Sequence, residues 1–181
     1  LTSMNSLALV YDNQAKYVKA EKLCNECLQL QKDTFGPTHP GTLTSMNNLA
    51  SMYDDQAKYD KAEKRYKECL KLRKGTLGPT HPDTLTSMHT LAVVYDCQGK
   101  YDEAEKLYKK CLQLRKDTLG PTHPDTLTAM SSLAVLYDNQ AKYEKAEKLW
   151  KECLQLRKDT LGPTHPDTLT AMSSLAVLYD N

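Results

Sequence analysis

The stretch "LAVVYDCQGKYDEAEKLYKKCLQL", residues 91–114, continues one apolar stripe and contains a second, with a short turn between them. The first stripe has the three- and four-residue spacing of one helix face and comprises Leu85, Met88, Leu91, Ala92 and Tyr95. The second has the same spacing and comprises Tyr101, Ala104, Tyr108, Cys111, Leu112 and Leu114. Apolar and polar residues do not alternate at period two, so the stretch predicts two successive helices.

The same pattern returns every 42 residues along the chain. Four copies align without a gap, and a fifth stops after its first helix: residues 1–42, 43–84, 85–126, 127–168 and 169–181. The third and fourth copies differ at about ten positions. One helix pair cannot bury its apolar faces alone, whereas stacked neighbours can. The sequence therefore predicts a single all-α repeat array of nine helices, four pairs and one extra.

This repeat resembles the tetratricopeptide repeat. The matching packing positions are Leu91, Ala92, Tyr95, Gly99, Ala104, Tyr108 and Cys111. The 42-residue length and the connector "LGPTHPDT", residues 119–126, are similar to the long variety found in kinesin light chains. The resemblance implies a right-handed superhelical solenoid of antiparallel helix pairs. It also implies that the first helices line a concave groove, which would bind a peptide or a partner helix.

The overall charge excludes two classes of partner. The net charge is +1, from 24 basic and 23 acidic side chains. We therefore expect neither nucleic acid nor an anionic membrane to bind. No apolar run approaches the roughly 20 residues that a membrane helix needs.

The cysteines and histidines recur with the repeat. Four cysteines, Cys27, Cys69, Cys111 and Cys153, lie 42 residues apart, as do four connector histidines, His39, His81, His123 and His165. Neighbouring helix axes lie about 8–10 Å apart, so equivalent side chains one repeat apart cannot share a metal ion. We expect these cysteines to fill the seam between helices and the chain to hold no metal or cofactor. Packed, unpaired cysteines favour a reducing, cytoplasmic location.

The connectors also carry a helix-start pattern. Thr80 and Asp83 fit a capping box, in which the threonine hydroxyl accepts from the backbone N–H of Asp83 and the aspartate reaches back. The pattern recurs as Thr122 with Asp125 and Thr164 with Asp167. Thr38 lacks a partner because Gly41 replaces the aspartate. The sequence predicts that these threonines cap the first helices.

An aspartate row follows the tyrosines of the first helices: Asp12, Asp54, Asp96, Asp138 and Asp180. One interpretation is local pairing with the lysines four residues on, Lys16, Lys58, Lys100 and Lys142. The other is an acidic groove that favours basic peptides. The pairs Glu63–Lys67, Glu105–Lys109 and Glu147–Lys151 predict a solvated face on the second helices.

Function is predicted from the first helices. The expected peptide-binding residues are Asn5, Asp12, Asn13, Asn47, Asn48, Asp54, Asp55, His89, Thr90, Asp96, Ser131, Ser132, Asp138 and Asn139. Every polar cluster recurs at 42 residues, whereas an active site needs different residues to converge on one point. We therefore expect no enzyme but a scaffold that binds a protein or peptide, with a mild preference for basic segments. The alternative is a spacer or rod that associates end to end through Leu175, Val177 and Tyr179.

Overall fold

The computed structural model describes residues 2–179, and this part of the chain contains nine helices. They are α1 (Thr2–Asn13), α2 (Tyr17–Phe35), α3 (Pro40–Asp55), α4 (Tyr59–Thr76), α5 (Pro82–Cys97), α6 (Tyr101–Leu119), α7 (Pro124–Asn139), α8 (Tyr143–Leu161) and α9 (Pro166–Tyr179). No strand occurs between residues 2 and 179. The predicted all-α class and the nine helices are confirmed.

The helices fall into two units. The first, Leu1–Gln98, contains α1 to α5, and the second, Gly99–Asn181, contains α6 to α9. Within each unit, consecutive helices pack against one another along the chain. The division between the units falls in the turn of the third predicted repeat, so the 42-residue repeat bounds remain a prediction.

The core of each unit is built from one face of every helix. In the first unit, α3 buries Leu43, Met46 and Leu49, while α4 buries Tyr66 and Leu70. Burying one such side chain fully contributes about 1.5–3 kcal/mol. The short turns bring the apolar stripes together, so the pattern in the sequence becomes a continuous core.

The periodic cysteines lie in this core, as predicted. Cys27, Cys69, Cys111 and Cys153 are fully buried and carry free thiols. The thiol of Cys69 donates to the carbonyl of Leu43 at 3.6 Å, and Cys153 donates to Leu127 at 3.7 Å. Each of these two thiols therefore ties a second helix to the first helix of its own pair.

The connector histidines cap the first helices, so the predicted threonine caps are wrong. His39, His81 and His123 have extended N-cap backbones, with a proline as the first helical residue. In all four connectors, Nδ1 of the histidine accepts the backbone N–H two residues on, at 3.1 or 3.2 Å. The helices start one residue later than the threonine pattern requires. The cap works equally well where Gly41 replaces the aspartate, because the donor is a backbone N–H.

Replacing His81 with alanine is expected to lower the free energy of unfolding by about 1 kcal/mol, since one helix-terminal N–H loses its acceptor. Thr80→Ala is the matched control and should change stability by less than half of that. Thermal melting of both variants checks the assignment. Equal losses in the two, or a larger loss for Thr80→Ala, would restore the threonine cap.

The turns between the two helices of a pair need a left-handed residue. Gly99 occupies that position at φ 72°, but alanine occupies it elsewhere, with Ala15, Ala57 and Ala141 at φ 54° or 55°. This conformation costs a residue with a Cβ atom about 1–2 kcal/mol. The turn is kept because the flanking helices are held by their packing.

Candidate functional site

A cavity of about 420 Å³ lies between α1 and α3 in the first unit. This volume is within the range of small-ligand pockets in proteins. Its lining comes from α1, α3 and one residue of α2: Asn5, Ser6, Ala8, Leu9, Asp12, Cys24, Thr44, Asn48, Ser51, Met52 and Asp55. The residues of α1 and α3 recur at helical spacing, so one face of each first helix forms a wall.

Four of the predicted binding residues line this cavity, namely Asn5, Asp12, Asn48 and Asp55. The amide Nδ2 of Asn5 donates to Ser45 Oγ at 2.8 Å, which ties α1 to α3. One carboxylate oxygen of Asp12 accepts from Gln56 Nε2 at 2.9 Å. The eleven lining residues include two carboxylates and neither lysine nor arginine, so this cavity is acidic.

The cavity is open where the other repeats have an aromatic ring. Cys24 contributes to the lining from α2, and the residues 42, 84 and 126 positions further on are Tyr66, Tyr108 and Trp150. Those three rings are buried, with 2–4% of their surface exposed. A thiol is much smaller than a ring, so the first repeat leaves space that an aromatic side chain fills elsewhere. The sequence carries this signal as a break in the period.

The other predicted residues of the first unit lie at equivalent places on α1, α3 and α5. Asn13 is exposed, whereas Asn47, Asp54, His89, Thr90 and Asp96 are partly buried. Burial raises the pKa of the Asp54 carboxyl, and the charge of Asp55 raises it further. The hydroxyl of Thr90 donates to the carbonyl of Thr86, within its own helix. These residues do not line the α1–α3 cavity.

In the second unit, the predicted residues lie on α7. Ser131 is part of the packing between α7 and α8, because its hydroxyl accepts from Arg157 Nη2 at 3.2 Å and lies 3.4 Å from Cys153 Sγ. Ser132 donates to the carbonyl of Thr128. Asp138 is partly buried and Asn139 is exposed. Asp180 lies outside the described residues.

The predicted pairing of the aspartate row with local lysines is wrong at three positions. Lys58 bonds to Glu21 at 3.5 Å, and Lys142 bonds to Glu105 at 3.2 Å, in each case on the preceding second helix. The side chain of Lys16 donates to Gln14. The acidic groove interpretation therefore does not compete with local pairing for Asp12.

The Glu–Lys pairs of the second helices are present but do not form a simple solvated face. Lys67 bonds to Glu63, Lys109 to Glu105 and Lys151 to Glu147. The same glutamates, or their equivalents, accept from a tyrosine of the next first helix: Tyr53 to Glu21 at 2.9 Å, Tyr137 to Glu105 at 3.1 Å and Tyr179 to Glu147 at 2.8 Å. This contact joins neighbouring repeats.

Three buried arginines are a feature that sequence analysis missed. Each Nη1 donates to the carbonyl of the aspartate that starts the next first helix: Arg73 to Asp83 at 3.0 Å, Arg115 to Asp125 at 2.8 Å and Arg157 to Asp167 at 2.7 Å. Their signal is an arginine kept at 42-residue spacing among variable lysines. Their partners are backbone carbonyls, so the arginines fix the connectors.

Two findings bear on other kinds of site. Within residues 2–179, no group of three or more histidine, cysteine, aspartate or glutamate side chains could hold a metal ion. None of the helices described there is long and apolar enough to cross a membrane.

Stacked helix pairs with an open face between first helices define a helical-repeat scaffold. The family model for the tetratricopeptide repeat matches residues 1–75, 57–117, 97–149 and 139–180. The chain therefore belongs to the tetratricopeptide repeat family. A search of curated proteins gives no match.

The fold is shared with solved structures of kinesin light chain-like repeats. Two are of a Podosopora anserina protein assigned to the kinesin light chains, with nearly identical TPR-like repeats. A variant of that protein and a second form of it are each 27% identical to this chain, cover 99% of it and 85% of their own length, and give TM-scores of 0.87 and 0.85. BtubC (BKLC) from P. vanneervenii gives a TM-score of 0.84 at 22% identity, over 98% of this chain and 70% of that one. The predicted solenoid class is confirmed.

Proposed function

We propose that this chain is a non-catalytic, cytoplasmic scaffold that binds an extended basic segment of a partner protein between its first helices. The observation that carries the proposal is the α1–α3 cavity, which has Asp12 and Asp55 in its lining and no basic side chain there. Tetratricopeptide repeats generally mediate protein–protein interactions. A lysine or arginine of the partner would meet two carboxylates without a competing cation.

The geometry favours an extended peptide. The cavity lies between two helices that are both the first helices of their repeats, so it is open along the helices. An extended chain exposes its own N–H and C=O groups, and Asn48, Thr44 and Ser51 offer polar partners for them along α3. Such polar partners hold the backbone, while the carboxylates select the charge of the side chains.

Affinity for a peptide of alternating lysine and serine is expected to fall about fivefold with Asp12→Asn and about fivefold with Asp55→Asn. One ion pair at about 4 Å in water contributes about 1 kcal/mol, which corresponds to that factor. Fluorescence anisotropy of the labelled peptide measures the change. The affinity of the unaltered chain should also fall as salt rises, because these charges are screened.

Asp33→Asn is the matched control. Asp33 lies on α2, outside the cavity lining, and accepts from Gln29 Nε2. It removes the same charge from the chain as either groove substitution. An equal loss of affinity in all three variants would mean that only net charge matters, and the proposed groove would be rejected.

The alternative of a self-associating rod is supported by one observation. On α9, Leu169, Met172, Val177 and Tyr179 expose 42–58% of their surface. The equivalent Leu127, Met130 and Tyr137 of α7 are at most 4% exposed. An apolar face of this kind would bind a further helix, including one from a second copy.

Sedimentation velocity at increasing protein concentration tests this alternative. Open end-to-end contacts produce a sedimentation coefficient that rises with concentration without reaching a plateau. A constant monomer value would remove the rod from consideration and leave the scaffold.

A further inference from the structure

We propose that the α1–α3 cavity is an anchor pocket for one aromatic side chain of the bound basic segment. The inference rests on the proposed function and names the second chemical feature of the ligand. It is carried by the comparison of the first repeat with the later repeats of the same chain.

The repeats are built to hold a ring at this position. Tyr66 and Tyr108 are each 2% exposed and Trp150 is 4% exposed, so three different copies bury an aromatic side chain there. The first repeat has Cys24 instead, and Cys24 lines the cavity. The space of about 420 Å³ is therefore found beside the one repeat that lacks the ring.

The surroundings of Cys24 and Tyr66 match. The charge of Asp54 adds to burial in raising the pKa of Tyr66 to about 12. Asp12, which is equivalent to Asp54, contributes in the same direction to the pKa of the Cys24 thiol, which burial raises to about 11. Each side chain thus points toward the aspartate of its own repeat. A guest ring in the cavity would lie where the Tyr66 ring lies one repeat later.

The walls suit an aromatic guest. Ala8 and Met52 are buried residues that line the cavity, and Leu9 lines it while exposing 61% of its surface. Ser51 is the residue equivalent to Leu9 in the second repeat, so the first repeat offers a more apolar wall. An aromatic side chain buries about 150–250 Å², and Leu9 would lose much of its exposure against it.

The rim adds a polar requirement. A carboxylate accepts hydrogen bonds through both of its oxygens, and Asp12 uses one of them for Gln56. A tyrosine hydroxyl or tryptophan N–H on the guest ring would find an acceptor at Asp12. Basic residues on either side of the ring would meet Asp12 and Asp55. The fitting segment is therefore an aromatic residue with a polar donor, flanked by lysine or arginine.

Two peptides test the pocket in the full chain. One is a nonapeptide of alternating lysine and serine with tyrosine at its centre, and the other has alanine there. The tyrosine peptide is expected to bind at least tenfold more tightly, as buried aromatic anchors commonly do. In the Cys24→Tyr variant, the chain's own ring fills the cavity, and the two peptides should bind equally.

Cys97→Tyr is the matched control, because Cys97 is an exposed cysteine of the same unit and does not line the cavity. It should keep the tenfold preference. Circular dichroism and melting of both variants show whether they fold, and the comparison of the two peptides on the unaltered chain does not depend on any variant.

Two outcomes separate this inference from the proposed function. If both peptides bind equally to the unaltered chain and still lose affinity with Asp12→Asn, the anchor pocket is wrong and the acidic groove stands. If neither peptide binds, both proposals are wrong. A preference that survives Cys24→Tyr would also overturn the anchor pocket, since the ring would then bind elsewhere.

Discussion

Replacing Tyr66 with cysteine is expected to lower the free energy of unfolding of the first unit by about 3 kcal/mol. The change gives the second repeat the residue that the first repeat has naturally. Tyr66 is only 2% exposed, and truncating a buried ring costs about 3–5 kcal/mol because the lost contacts leave a cavity. Cysteine keeps one heavy atom more than alanine, which places the expected loss at the lower end.

Hydrogen exchange is the suitable measurement for this variant. Repeat arrays do not unfold as one cooperative step, so a single melting temperature would mix the units. Exchange of backbone amides reports opening of each helix separately. We expect the protection of α4 and of the helices packed on it to fall, and α8 and α9 in the second unit to keep theirs.

Two controls define the size of the ring's contribution. Tyr66→Phe keeps the ring and should cost less than half as much. Cys24→Ala removes only the small thiol from the first repeat and should cost about 1 kcal/mol or less, because no ring is present there to lose. A Tyr66→Cys loss smaller than that of Cys24→Ala would show that the ring does not fill the space, and the anchor pocket would then lose its basis.

Helix number and the core could be predicted from the sequence because they depend on local spacing and on repetition. Leu85, Met88 and Leu91 fall on one helix face whatever the neighbours are. The 42-residue period then requires that every copy bury the same face. The seam cysteines follow from the same argument, since Cys69 and Cys111 occupy one place in that face.

The helix caps were not predictable from the pattern alone. Thr80 and His81 both precede the helix, and each has a side-chain atom able to accept from the backbone. The choice depends on whether Pro82 is the first helical residue, which shifts the capping position by one. Helix boundaries from sequence are uncertain by that amount. The recurrence of histidine was a usable signal, because a position that only needs to be polar would vary.

Partners of charged groups were predicted poorly because they are chosen across the stack. Lys58 lies four residues after Asp54, yet it bonds to Glu21, 37 residues earlier. A lysine side chain is long enough for either partner, and the packing of α3 against α2 decides which is nearer. The candidate cavity has the same character. Its acidic residues were predicted one by one, but the missing ring at Cys24 became meaningful only once Tyr66 was seen to be buried.

Glu105→Gln is expected to lower the free energy of unfolding of the second unit by about 2 kcal/mol at pH 7. Glu105 accepts from Tyr137 Oη at 3.1 Å and bonds to Lys109 at 2.6 Å and Lys142 at 3.2 Å. Hydrogen bonds to a charged group contribute about 1.5–3 kcal/mol when they are well shielded, and only 16% of the Glu105 side chain is exposed. Glutamine keeps the size of the side chain and removes its charge.

Glu152→Gln is the matched control in the same unit. Glu152 bonds to Lys116 at 2.9 Å, and 44% of its side chain is exposed. An exposed pair of this kind contributes about 0.2–1 kcal/mol. The control should therefore cost less than half as much as Glu105→Gln. Equal costs would mean that the tyrosine contact adds nothing to the link between repeats.

The pH dependence gives the second test of Glu105. Hydrogen bonds from Lys109, Lys142 and Tyr137 lower the pKa of the Glu105 carboxyl from 4.5 to about 2. A carboxyl with a depressed pKa in the folded chain stabilises it fully above its unfolded pKa of 4.5, and the contribution is lost as pH falls toward 2. The stability difference between the unaltered chain and Glu105→Gln should therefore be constant from pH 7 to about 5 and shrink below that. A difference that stays constant down to about pH 3 would show that the charge of Glu105 does not hold α6 against α7.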